Sequence, residues 1–207
     1  MSTFAPFSER SSFEHPEAGR LLDAALREAP AHAYLFHGPP GVGKREVARA
    51  FARALIGTTR AVHPDLYELD ALGEMIRIDA IRELRRDLHM RPFEADRRVY
   101  LVQRAHLMNE DAADALLKDL EEPPPYATIV LVADELGPLP ETIRSRCQLV
   151  PFRRLSERTI REAVERLAPG LPAGERLALA RVAAGRIGRV AALLDPANAR
   201  RRELLLE

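Results

Sequence analysis

The most constraining feature is a junction of three local signals. The apolar run Ala33-Tyr34-Leu35-Phe36 leads at once into Gly38-Pro39-Pro40-Gly41-Val42-Gly43-Lys44. From Arg45 onward, Val47, Ala48, Phe51, Ala52 and Leu55 recur with the period of an α-helix, and Gly57 is placed to stop it. A buried strand, a glycine loop and a helix therefore follow one another without a linker. The loop matches G-x-x-x-x-G-K, in which glycines let backbone N–H groups turn inward around phosphate oxygens. The helix N-terminus adds partial positive charge and Lys44 a full one. Gly38, Pro39, Pro40, Gly41, Val42, Gly43, Lys44 and Arg45 are thus the candidate nucleotide-binding residues, with ATP or ADP as the ligand.

The rest of the chain extends this unit. A helix is expected over 17–28, a short strand at Leu66 to Leu69, a helix from Ile78 to His89, a buried strand Val99 to Val102, a helix from Asn109 to Glu121 and a buried strand Thr128 to Ala133. Strands that alternate with helices imply a mainly parallel sheet covered on both faces, so the fold class is α/β, a parallel sheet sandwiched by helices. After Phe152 strand signals stop, and 156–168, 173–184 and 187–194 read as short helices. The expected organisation is an α/β domain over 1–153 and a small helical lid domain over 154–207.

Composition removes several alternatives. The 31 basic and 31 acidic residues cancel, so no overall field would hold the chain on nucleic acid or an anionic membrane. Cys147 is the only cysteine, which excludes an internal disulfide and a cysteine-rich zinc module. No apolar run approaches the roughly 20 residues of a membrane span. Residues 1–13 are polar, unlike a signal peptide. A cytoplasmic location is expected, with neither membrane contact nor zinc. The scattered histidines show no metal-ligand spacing, so no metal site is expected.

The catalytic positions are altered in chemically informative ways. A working phosphate loop carries Ser or Thr after its lysine to hold Mg²⁺; here Arg45 stands there, and a guanidinium cannot ligate a metal. At the end of the strand Val99 to Val102, where such an enzyme places an Asp for the metal shell and often a Glu to polarise water, the residues are Gln103 and Arg104. Phosphoryl transfer depends on positioned charge, so losing these groups together argues against independent hydrolysis.

Two later segments carry a resemblance. His106-Leu107-Met108-Asn109 through Ala115-Leu116-Leu117-Lys118-Asp119-Leu120-Glu121-Glu122-Pro123-Pro124-Pro125 is similar to the "NALLK-LEEPP" segment of clamp-loader subunits. Leu139-Pro140-Glu141-Thr142-Ile143-Arg144-Ser145-Arg146-Cys147-Gln148 resembles their "LP-TI-SRCQ" signature, and His32 to Phe36 and His63-Pro64-Asp65-Leu66 also match. The resemblance implies an AAA+-type P-loop fold. Within the bacterial DNA polymerase III clamp-loader family, an eroded acidic motif beside an intact Ser-Arg-Cys is similar to the delta-prime branch. Arg146 is then implied to act in trans on ATP held by a neighbouring subunit, and Arg189, in Gly185-Arg186-Ile187-Gly188-Arg189-Val190, to face a nucleotide from the sensor helix. Implied partners are gamma/tau-like ATPase subunits, the delta subunit and, through the assembled complex, the sliding clamp and primed DNA. The family's four-cysteine module is absent between Gly57 and His63, and the sequence ends at Glu207 before a collar domain would follow, so the chain is expected to be either a fragment or an abbreviated member. The alternatives are an ATP-hydrolysing gamma/tau-like subunit and an independent P-loop nucleotide-binding protein. Cys147 is expected to be a packing residue.

Overall fold

A computed structural model describes residue 7 and residues 15–71 and 73–198; the remainder of the N-terminal segment and residues 199–207 lie outside the described residues. Five strands, β1 (Ala33–His37), β2 (Leu66–Leu69), β3 (Arg98–Val102), β4 (Ala127–Ala133) and β5 (Gln148–Pro151), form one sheet in the order β2-β3-β4-β1-β5. Every pairing is parallel. Parallel neighbours need crossover connections, which α1 (Pro16–Arg27), α2 (Lys44–Ile56), α3 (Ile78–Leu88) and α4 (Glu110–Glu121) provide or flank. The register sets Leu35 beside both Leu131 and Leu149, so β1 lies inside the sheet and the loop that follows it emerges between two strand ends.

The continuous apolar runs of β1, β3 and β4 follow from burial on both faces. Leu35, Tyr100, Val102, Ile129 and Leu131 point into one core with Ile81, Leu84 and Leu88 of α3 and Leu116 and Leu120 of α4. Their neighbours Tyr34, Phe36, Val99, Leu101, Val130 and Val132 point the other way, onto Leu22 of α1 and Ala48, Phe51 and Ala52 of α2. Alternation with period two sends adjacent side chains to opposite cores, so a strand between two helical layers has no polar face. A third apolar cluster joins Ile160 and Val164 of α6 (Glu157–Leu167), Leu179 and Ala183 of α7 (Ala173–Ala183), and Val190 and Leu193 of α8 (Ile187–Leu194).

The helix expected from Asn109 begins one residue later because Asn109 is its N-cap: the side-chain oxygen accepts from the Ala112 N–H. Asn109→Ala is expected to lower stability by about 1 kcal/mol, read as an earlier urea midpoint at unchanged slope. Two elements were not expected from sequence, α5 (Glu141–Arg144) and β5. Gln148 and Leu149 are exposed in β5, an edge strand that exists through its pairing with β1. Among the described residues no helix is long and apolar enough to cross a membrane.

Candidate functional site

The glycine loop turns at the carboxyl end of β1. Gly38 has φ +142°, and a Cβ there would lie 2.0 Å from the Phe152 carbonyl oxygen, so only glycine lets the loop pass the chain that leaves β5. Gly43, in the left-handed region at φ +95°, is the N-cap of α2 and provides no side-chain cap to the first-turn N–H groups. Those donors face the loop, as a phosphate-binding helix start requires.

Lys44 is 3% exposed and turned into the loop. Its Nζ donates to the carbonyls of Gly38 at 2.7 Å and Pro39 at 2.6 Å and lies 2.7 Å from Asp134 Oδ1 at the end of β4. Burial pulls the ammonium below its usual pKa, and Asp134 pushes back against that shift. Burial and the nearby Lys44 charge likewise lower His37.

The neighbouring zone, where a magnesium shell would be built, is organised around Asp70. Arg45 Nη2 pairs with Asp70 Oδ2, and Arg104 Nε lies 2.7 Å from Asp70 Oδ1. Arg104 Nη2 also donates to the Ala71 carbonyl at 2.6 Å, from a backbone at φ 50° that non-glycine residues seldom adopt. Burial alone would raise the Asp70 carboxyl, but Arg104, the Ala71 N–H and Arg45 together hold it below the usual range. Gln103 is fully buried and its amide donates to Glu68 Oε1 at 3.0 Å, an oxygen also bonded by Arg49 Nε at 2.9 Å. These residues do not fit a magnesium ion. The hydroxyl position is a guanidinium, the strand-end carboxylate is an amide engaged elsewhere, and Asp70 already carries two cations.

The helical segment covers the loop. The Gly188 N–H donates to the Gly41 carbonyl at 2.8 Å, and Arg189 lines a cleft with Pro40, Gly41 and Arg186. Arg186, which sequence reasoning passed over, packs its side chain 3.4 Å from where a Gly41 Cβ would stand. Its flag was its place in the same six-residue segment as Arg189.

Arg146 lies elsewhere. It follows α5 and precedes β5, and Gln148, the first residue of β5, is paired with Tyr34 near the start of β1. The phosphate loop begins only after His37 at the other end of β1. Four residues of strand at about 3.3 Å each put Arg146 and Lys44 at opposite ends of the sheet, on the order of 13 Å apart along the strand direction. The Arg146 side chain is 34% exposed and held by two partners, Glu121 Oε1 at 2.5 Å from Nη2 and the Thr142 carbonyl at 2.8 Å from Nη1. Cys147 beside it packs against the α3–α4 core, and burial pushes its thiol up to about 12, so no reactive thiolate forms near neutrality.

Comparison with known proteins agrees with this fold. The family model for "DNA polymerase III, delta subunit" matches residues 15–156. The DNA polymerase III tau subunit of Bacillus subtilis is 34% identical over 157 residues, which cover 68% of this chain and 28% of that protein. The gamma subunit of Buchnera aphidicola is 33% identical over 146 residues, covering 62% and 40% respectively, so the chain spans well under half of either relative. A solved DNA polymerase III gamma subunit-related protein from Thermotoga maritima superposes with a TM-score of 0.63 at 30% identity, over 81% of this chain and 57% of that one. The RuvB Holliday junction branch migration motor of the same organism, at 19% identity, superposes with a TM-score of 0.65 over 91% and 60% and shows the fold alone. Sheet order, glycine loop and these neighbours define a P-loop module of the AAA+ class. With the family match over most of its length, the chain belongs to the DNA polymerase III clamp-loader family.

Proposed function

We propose that this chain is a non-hydrolysing clamp-loader subunit of the delta-prime kind, which offers Arg146 to ATP bound by an adjacent ATPase subunit. The observation that carries this reading is the separation of Arg146 from Lys44 across the length of the sheet. A guanidinium at the strand starts cannot attend a nucleotide at the strand ends of the same chain; it is available to a neighbour. A planar, permanently charged fork there stabilises the charge that spreads over the transferring phosphoryl oxygens. To act, it must exchange the Glu121 carboxylate for a phosphate oxygen, a swap of one oxyanion for another.

In this reading residues 1–153 are the nucleotide module and 154–207 its lid. Gamma/tau-like subunits and the delta subunit are the partners, and the sliding clamp and primed DNA are met through the assembled complex in the cytosol. The Asp70 clamp supports the absence of independent turnover. The test is DNA-stimulated ATP hydrolysis by a reconstituted complex containing Arg146→Ala; unchanged turnover would falsify the assignment.

The names of the relatives, gamma and tau, favour a second reading, an ATP-hydrolysing subunit. It requires that the purified chain hydrolyse ATP and that Lys44→Ala abolish the activity. Gln103, buried and bonded to Glu68, and Arg104, bonded to Asp70, argue against it because neither can polarise a water.

A further inference from the structure

The cleft over the glycine loop has Lys44, Arg45 and Arg104 as its cationic lining and Glu46 and Asp134 as its acidic lining. Lys44 is balanced by Asp134 and by two carbonyls. Arg45 and Arg104 share a single carboxylate, Asp70, and among the described residues the exposed Glu46 on the same wall makes no ion pair with either, so two guanidiniums meet one directly bonded carboxylate. Neither arginine is sealed away: their side chains are 43% and 35% exposed. Each guanidinium has five N–H donors in a fixed fork suited to phosphate, more than the Asp70 carboxylate can absorb. Arg45 Nε is buried and has no hydrogen-bond partner among the described residues, so the guanidinium is not fully satisfied where it lies.

We infer that this cleft takes a nucleoside di- or triphosphate free of magnesium, with Arg45 and Arg104 supplying the neutralising charge that a divalent ion supplies in P-loop enzymes. The inference deepens the nucleotide-binding reading of the loop and rests on it. Two consequences separate it from ordinary P-loop binding. A magnesium ion carried in on the phosphates finds no hydroxyl at position 45 and no free carboxylate at 103, and it meets two fixed cations. It also competes with the guanidiniums for the same phosphate oxygens. The metal-free polyphosphate carries more negative charge and leaves those oxygens open, so it is the better ligand. Glycine-loop N–H groups and Lys44 serve either form equally and do not discriminate between them.

The test is calorimetric titration of the full chain with ADP and with ATP, each in EDTA and in excess magnesium. The expected result is binding in EDTA at least as tight as in magnesium, and weakened by about tenfold or more in the Arg45→Ala, Arg104→Ala double variant, since charge-assisted contacts to phosphate are lost. Circular dichroism and thermal melting establish that the double variant is folded. If it is not, Arg45→Gln alone, which removes the charge but keeps a polar side chain of good helix propensity, is expected to weaken binding in EDTA selectively. Binding that requires magnesium overturns the inference and leaves the loop a nucleotide site. Binding in EDTA that is indifferent to the arginines overturns their role. No heat in either condition removes both the inference and the nucleotide reading beneath it, while the proposal for Arg146 is untouched.

Discussion

If the proposed role holds, replacing Arg146 with alanine is expected to slow ATP hydrolysis at the neighbouring subunit's site by about 10³-fold or more. Supplying an arginine to a phosphoryl-transfer site is worth roughly 10³ to 10⁵ in rate, or about 4 to 7 kcal/mol of barrier. The measurement is single-turnover hydrolysis by the reconstituted complex with primed DNA, where one class of site should become slow while the others keep their rate. The fold should survive, because Arg146 makes only a surface ion pair with Glu121 and a bond to the Thr142 carbonyl, and such exposed pairs contribute about 0 to 1 kcal/mol. Arg146→Lys keeps the charge and loses the planar fork, so it should restore part of the rate. Glu121→Gln is expected to keep turnover or raise it, since an amide holds the guanidinium less tightly than a carboxylate. A large loss in that variant would mean that Glu121 itself contacts the neighbour.

The largest stability effect is expected at Asp65. Its carboxylate is fully buried and accepts three backbone N–H groups, from Phe93 to Oδ1 at 2.6 Å and from Glu94 and Ala95 to Oδ2 at 2.8 and 2.9 Å. It therefore pins the loop that carries the chain into β3, beside the buried Arg98 guanidinium at 3.9 Å. Asp65→Ala removes the acceptor of three part-buried backbone donors and the second carboxylate beside Arg98, which keeps Asp87 at 2.7 Å, with an expected cost of about 2 to 4 kcal/mol and a melting point about 10 °C lower. Asp65→Asn is nearly isosteric but sets an amide donor against a backbone donor, and it should lose about half as much. A melting point unchanged within a degree or two in both variants would show that water replaces the carboxylate.

The pH dependence follows from the same contacts. Burial alone would raise the Asp65 pKa, but the three backbone hydrogen bonds outweigh it and hold the carboxyl below its usual range. The folded pKa thus lies below the unfolded one near 3.9. The unfolded chain takes up the proton first as acid is added. The stabilisation is complete above about pH 4 to 5 and is lost as pH falls through the depressed folded value. Asp70 is shifted in the same direction. Melting curves of the native chain should fall below pH 4 more steeply than those of Asp65→Asn.

Much of the fold could be read before any coordinates, because its signals are local. The run from Ala33 to Leu55 specifies strand, loop and helix by apolar period and glycine placement within twenty-odd neighbouring residues. The two-faced burial of β1, β3 and β4 shows as unbroken apolar sequence. By contrast, β5 is four residues with an exposed Gln148 and Leu149 and carries no pattern of its own; it is a strand because the chain returns beside β1. The altered catalytic positions at Arg45, Gln103 and Arg104 could be recognised from residue type, but their common partner could not. Asp70 lies 25 and 34 residues from the two arginines, in the least periodic stretch of the chain.

The roles of His63-Pro64-Asp65-Leu66 and of Arg146 divide in the same way. A motif match singles these residues out, yet it does not say that Asp65 caps a loop thirty residues away or that Arg146 stands at the far end of the sheet from Lys44. By itself the sequence determined the α/β class, the strand–glycine loop–helix junction and the residue types at positions 45, 103 and 104, since each depends on residue identity and short-range spacing. Tertiary structure alone decided which carboxylate joins Arg45 to Arg104, which one restrains Arg146, and which end of the sheet each arginine occupies. Those facts depend on the parallel stacking of distant strands, and packing brings together charges that no local pattern connects.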